Sequence, residues 1–211
     1  MKTDTLIDML ARGAGPAPRA LAARRLAPAA GAGLLASAAL ALSLLGPIPL
    51  EFYALPAPWI KFAYATTLAL AAGWLTARLA RPVARLGAPS RSTLAVIVAM
   101  GALALIAWWT TPEQNRVGGL LGHSWSTCPW NVLALSLPAL AVTLWAVRGL
   151  APTRPRAAGF AAGLLAGAVG AFGYAFACDE AAITFVAAWY TLGILLTGLL
   201  GAALGGRVLR W

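Results

Sequence analysis

TLAVIVAMGALALIAWW, running from Thr93 to Trp109, holds seventeen consecutive residues without one Asp, Glu, Lys, Arg or His. Wound as a helix, the stretch is about 25 Å long. That covers most of a bilayer's hydrocarbon core of roughly 30 Å, provided Trp108 and Trp109 sit at the interface. A helix of a soluble domain would carry a polar face at this length, and this one has none. Working outward, uncharged windows of similar size recur, giving six in all at approximately 29–50, 60–77, 93–109, 130–147, 157–177 and 181–206. The second opens anywhere from Trp59 to Phe62, so Lys61 is counted with the segment before it, and the fourth needs Trp130 at its interface. The expected fold is all-α: a polytopic membrane bundle of six transmembrane helices.

Composition agrees with this. The 211 residues are 61% hydrophobic and 10% charged, with a mean hydropathy of +0.79, which excludes an ordinary water-soluble fold. The formal charge of +10 would suggest nucleic acid in a soluble protein. Here the cations sit between apolar spans, so the bilayer is the expected partner and no direct nucleic-acid contact is expected. The first span follows a 28-residue polar and basic lead and exits at Gly46-Pro47-Ile48-Pro49 without a small-x-small cleavage pattern, so it reads as a retained helix, not a signal peptide.

Orientation follows from the cations, whose excess marks the cytoplasmic side. The lead holds Lys2, Arg12, Arg19, Arg24 and Arg25; the second-to-third loop holds Arg78, Arg81, Arg85 and Arg91; the fourth-to-fifth holds Arg148, Arg154 and Arg156. Arg207 and Arg210 bring that side to fourteen, against Lys61 and Arg116 on the other. Both termini are therefore expected in the cytoplasm, with residues 1–28 a cytoplasmic lead and 29–211 the membrane domain. In the fifth span Gly159, Gly163 and Gly167 recur every four residues, and Thr197, Gly201 and Gly205 repeat that spacing in the sixth. Small residues let helix backbones approach closely. The two spans are expected to pack as a hairpin, with a homodimer face as the rival use of the stripe.

No span interior is expected to carry an ionisable group, which disfavours ion-coupled transport. Pro138 with Ser136 reads as a locally satisfied kink before it reads as a solute site. The chain has no HExxH, phosphate-cradling glycine loop, intramembrane carboxylate pair or CxxC motif, so no catalysis is expected.

Chemistry concentrates in two outer segments. The loop from Thr110 to Trp130 contains His123 and Cys128, and the last turn contains Cys178, Asp179 and Glu180. Both cysteines fall at outer helix ends, on the oxidising side. Three chemistries stay open: a permanent Cys128–Cys178 disulfide, a reversible thiol pair, and a soft-metal site using both thiolates with His123 and a carboxylate from Asp179 or Glu180. Two inert buried thiols are the bland alternative. No resident cofactor is expected beyond such an ion.

The lead opens with Thr3-Asp4-Thr5-Leu6-Ile7-Asp8-Met9-Leu10-Ala11-Arg12, which predicts a short amphipathic helix. Thr5 and Asp8 fit a capping box, Leu6, Ile7 and Leu10 share a face, and Gly13, Gly15, Pro16 and Pro18 stop it. Ten residues make a marginal helix alone, so Leu6, Ile7 and Leu10 are the expected contact with bilayer, bundle or partner.

Three blocks carry a family resemblance: Met1-Lys2-Thr3-Asp4 with Leu6-Ile7, Gly122-His123-Ser124-Trp125-Ser126-Thr127-Cys128-Pro129-Trp130-Asn131, and Trp189-Tyr190-Thr191-Leu192-Gly193. With these the chain resembles, end to end, the NrsF family of membrane anti-sigma factors. The resemblance implies a six-span inner-membrane protein that sequesters an extracytoplasmic-function sigma factor until envelope stress. It also implies that Cys128 and Cys178 correspond to two outward cysteines linked to heavy-metal and oxidant responses. The family pattern has a histidine where this chain has Ala177, which weakens a His-rich metal site more than a thiol switch. The runner-up reading is a small transporter or permease of a neutral solute or metal, and a third is a purely structural membrane subunit.

Overall fold

The computed structural model describes residues 3–13, 20–81 and 87–210. Lys2, Arg19 and Arg85 of the charge count, the Gly15-Pro16 and Pro18 stop and the Met1-Lys2 start of the first family block lie outside them. The described residues are helical, without strands: α1 (Thr3–Gly13), α2 (Leu21–Leu44), α3 (Pro56–Leu79), α4 (Gly87–Thr110), α5 (Glu113–Leu121), α6 (Cys128–Arg148), α7 (Pro155–Tyr174) and α8 (Ile183–Val208). A short 3-10 turn, Leu50–Ala54, joins α2 to α3. A wide turn with i to i+5 bonding, Val186–Tyr190, lies inside α8.

α7 is the axis of the bundle, packed by α2, α3, α6 and α8. Its Gly and Ala composition explains why. A methyl group at Gly159, Gly163 or Gly167 would lie only 2.9, 2.8 or 2.9 Å from the Cα of Gly205, Gly198 or Ile194 of α8. The expected hairpin therefore forms, and the glycine stripe is consumed within one chain. Other approaches are as close: Ser37 of α2 donates its hydroxyl to Gly170 O at 3.4 Å, and a Cβ on Gly33 would meet Ala139 of α6 at 2.6 Å. Pro138 stays inside α6, while Ser136 Oγ donates to Val132 O one turn back, as the kink reading requires.

The outer helices show the opposite pattern. α4 exposes Leu94, Val98, Leu103, Leu105, Ile106 and Trp109, and α2 exposes Leu35, Leu40, Leu42 and Leu44. Apolar surface on this scale calls for a lipid solvent. Five helices, α2, α4, α6, α7 and α8, are long and apolar enough to cross a membrane; the expectation of six is corrected to five. The shortfall is α3, whose 24 residues match the others in length but include Lys61, Tyr64, Thr66, Thr67, Trp74 and Thr76. α3 nonetheless runs antiparallel alongside α7, with Phe62 stacked on Phe172 and Phe176 at ring distances of 4.9 and 4.8 Å and Gly73 facing Leu165. Lys61 lies within the second turn of α3 and is wholly buried. The expected second window therefore lies in a helix that already carries a cation, because the helix starts five residues before Lys61.

α1 stands apart. Leu6, Ile7, Met9 and Leu10 are 43%, 58%, 53% and 66% exposed, and no residue of the helix is buried. The helix begins at Thr3, so Thr5 is inside it and does not cap it; Asp8 instead pairs with Arg12 at 2.6 Å.

Candidate functional site

At one end of the bundle the chain leaves α2, enters α3, leaves α4, enters α6, leaves α7 and enters α8, and both cysteines lie there. Ile48, past the end of α2, donates its N–H to Phe176 O at 3.0 Å. Cys128 is the first residue of α6, and Cys178 follows α7 in the turn to α8. Both are free thiols, with exposures of 0% and 2%. Cys128 lies within electrostatic reach of Cys178, Lys61 and Glu180 and beside Tyr174.

Aromatic rings wall the thiols in. Tyr174 and Tyr190 stack with centroids 5.6 Å apart. Tyr190 is fully buried beside Cys178, and its hydroxyl forms no hydrogen bond of good geometry among the described residues. Tyr64 and Thr191 share a hydrogen bond of 2.7 Å just below. Lys61 Nζ donates to Cys178 O at 2.6 Å and sits 5.5 Å from the Phe52 ring. A buried ammonium needs such partners, and this one fixes the turn that carries Cys178.

Glu180 closes the site from the loop side. Its carboxylate, only 6% exposed, accepts the His123 N–H at 2.6 Å, the Ser124 N–H at 2.9 Å and the Ser124 hydroxyl at 3.1 Å, all on Oε1. Gly122 makes this convergence feasible: its φ is +57°, and a Cβ there would lie 2.5 Å from Glu180 Oε2. Two further contacts pin the loop to α8, Trp189 Nε1 to Leu120 O at 2.8 Å and Thr184 Oγ1 to Gly119 O at 3.1 Å, and Trp125 packs on Trp189 at 5.6 Å. Gly193 meanwhile abuts Val132 and Pro129 O of α6. The blocks around His123 to Asn131 and Trp189 to Gly193 are thus two halves of one lid over the thiols.

The expected metal set does not assemble. Among the described residues no three His, Cys, Asp or Glu side chains group to hold an ion. The His123 side chain is 99% exposed with Nδ1 3.9 Å from Glu180, Asp179 faces solvent, and Glu180 spends one oxygen on three donors. Cys128 and Cys178 are brought together, Glu180 joins them as a clamp, and His123 contributes its backbone. Sequence reasoning missed Lys61, Tyr174, Tyr190 and Met9. For Lys61 the signal was present, a lone cation at the margin of an apolar window.

Comparison with known proteins supplies the family. The family model described as "NrsF: Negative regulator of sigma F" matches residues 10–211. The chain is 42% identical over 217 aligned residues to "Anti-sigma-F factor NrsF" of Caulobacter vibrioides (strain NA1000 / CB15N), covering all of both chains. It is 39% identical over 214 residues to "Probable anti-sigma-F factor NrsF" of Azospira oryzae (strain ATCC BAA-33 / DSM 13638 / PS), again covering both chains fully. No solved structure matches. The chain belongs to the NrsF family.

Proposed function

We propose that this protein is an inner-membrane anti-sigma factor that holds an extracytoplasmic-function sigma factor inactive and releases it when soft metals or oxidants reach the Cys128 and Cys178 pair. The carrying observation is the full-length identity of 42% to a relative named as an anti-sigma-F factor. Two structural features support the reading. α1 leaves Leu6, Ile7, Met9 and Leu10 exposed, with none of the described residues covering them, as a helix waiting for a groove does. The thiols head α6 and follow α7, the two helices that α2 packs against, so rearrangement at the thiols reaches the helix that follows α1 in the chain.

In this reading the cysteine end faces outward and both termini face the cytoplasm. The alternation of the six long helices, with α3 accompanying α7 across the bundle, supports that arrangement.

The test uses the full chain co-expressed with its sigma factor. Washed membranes should retain the sigma factor, and Leu6→Asp/Ile7→Asp should release it while the protein stays inserted at normal abundance. Full retention by that variant overturns α1 as the docking element. Uptake of a solute by vesicles with no sigma-factor capture would favour a permease.

A further inference from the structure

The end of the bundle away from the cysteines carries a cleft that the sigma-factor reading does not use. Arg24 and Arg25 from the first turn of α2 and Arg148 from the last turn of α6 line one cavity of about 600 Å³, together with Pro28, Trp145, Ala146 and Gly149. Three guanidinium groups converging there should repel one another, yet none has a carboxylate partner. Among the described residues Asp8 pairs with Arg12 and Glu113 with Arg116, while Glu180 is taken up by the N–H groups of His123 and Ser124. The remaining acids, Asp4, Glu51 and Asp179, lie on α1 or in segments of the cysteine end. All three arginines are exposed, and the Arg25 guanidinium lies against Gly149, where a side chain would have to displace it.

We propose that this cleft seats the phosphate headgroup of an anionic phospholipid. Three unpaired arginines identify the ligand as an anion, and a planar fork of donors suits phosphate. Position and Trp145 identify the source as lipid. The cleft opens between two helices that are each long and apolar enough to cross a membrane, where their apolar runs begin at Leu26 and stop at Val147. The indole of Trp145, 78% exposed, lies one turn inside that level, as interfacial tryptophans do. Basic pockets between membrane helices bind anionic headgroups by the same logic. A second arginine cleft, with Arg156, Arg207 and Arg210, is lined among the described residues otherwise by Ala202, Ala203 and Gly206, without an aromatic among them; it serves as the internal control. The inference rests on the membrane reading and not on the sigma factor.

The experiment uses the full chain purified in a neutral detergent, with phosphatidylglycerol, phosphatidylcholine and inorganic phosphate as probes. Bound lipid is read by native mass spectrometry and stability by thermal midpoint. Phosphatidylglycerol should stay bound and raise the midpoint, and neither of the others should. An arginine beside an anionic lipid contributes roughly a fivefold factor, so Arg24→Gln/Arg25→Gln/Arg148→Gln should weaken retention on the order of a hundredfold. The matching Lys variant should keep most of it, and Arg207→Gln/Arg210→Gln should stay within about threefold. Gly149→Leu, which displaces Arg25 without removing charge, should also weaken retention and provides the test should the triple Gln variant not fold. Equal retention of both lipids, or undiminished phosphatidylglycerol in the triple Gln and Gly149→Leu variants, overturns the proposal. So does saturable inorganic phosphate without retained lipid, which makes this a soluble-anion site, or loss of sigma-factor capture with lipid binding intact, which makes it an acidic-protein surface.

Discussion

Replacing Glu180 by Ala should unlatch the lid over the thiols without touching a thiol. The carboxylate accepts three hydrogen bonds, two of them from the backbone of His123 and Ser124. A hydrogen bond to a charged group contributes about 1.5 to 3 kcal/mol, and leaving a buried donor unsatisfied costs a similar amount. The three bonds share one oxygen and do not add, so a loss of about 3 kcal/mol for the whole clamp is a sober figure. The loop is also held by Trp189, Thr184 and the Trp125 contact, so the loss falls on local opening and not on the bundle. When opening and closing are fast, alkylation of a buried thiol scales with the open population. Three kcal/mol is then about two decades of rate. The assay is maleimide labelling of the full chain in nanodiscs, read for Cys128 and Cys178 separately by peptide mass. Glu180→Ala should label about a hundredfold faster than wild type at both positions, and Glu180→Gln, which keeps an acceptor but loses the charge, about tenfold faster. If the Ala variant remains folded and both thiols label at the wild-type rate, the lid is not what excludes reagents.

Two further outcomes follow from the same geometry. If the thiols act as one unit, as proposed, Cys128→Ser, Cys178→Ser and the double variant should lose the reporter response to cadmium or to an oxidant to the same degree; additive partial losses would mean two unrelated sites. A reporter active only outside the cytoplasm, fused after Trp211, should be silent while a cytoplasmic one is active; the reverse would place the cysteines on the cytoplasmic side.

The membrane bundle and its hairpin were legible because their signals are local. An uncharged window has one solvent that suits it, and glycines four apart have one face. α7 and α8 therefore packed as their spacing implied. Lys61 was misread because a cation at a window's edge reads as a boundary, whereas its partners, Cys178 O and the Phe52 ring, come from 117 residues downstream and from the preceding turn. Glu180 was weighed as a metal ligand for a related reason: residue type and side of the membrane can be read from the chain, but not which oxygen is already engaged. Nor could spacing show that two separated motif blocks meet through Trp125, Trp189 and Gly193.

Under the proposed function, burial of the thiols gives a chemical signal its leverage over the bundle. Moving a two-state protein from about 1% to 99% in one state takes roughly 5.5 kcal/mol of differential affinity, and a ligand that reacts equally with both states moves nothing. With Cys128 and Cys178 at 0% and 2% exposure, a reagent meets them only in the open arrangement, so its whole bonding energy is differential. α2 lies against α6 and α7 through close contacts of small residues, Gly33 on Ala139 and Ser37 on Gly170 and Gly173. In the proposed switch, a shift of either thiol-bearing helix end carries α2 with it. Linkage then runs both ways. If thiol modification weakens sigma-factor binding by some factor, bound sigma factor must disfavour the open state by that factor. Maleimide labelling of Cys128 and Cys178 should slow on adding saturating sigma factor to the full chain in nanodiscs, and Leu6→Asp/Ile7→Asp should abolish that slowing. Equal labelling rates with and without sigma factor, in a preparation that demonstrably binds it, would disconnect the thiols from the docking end and leave the cysteine pair without a regulatory role.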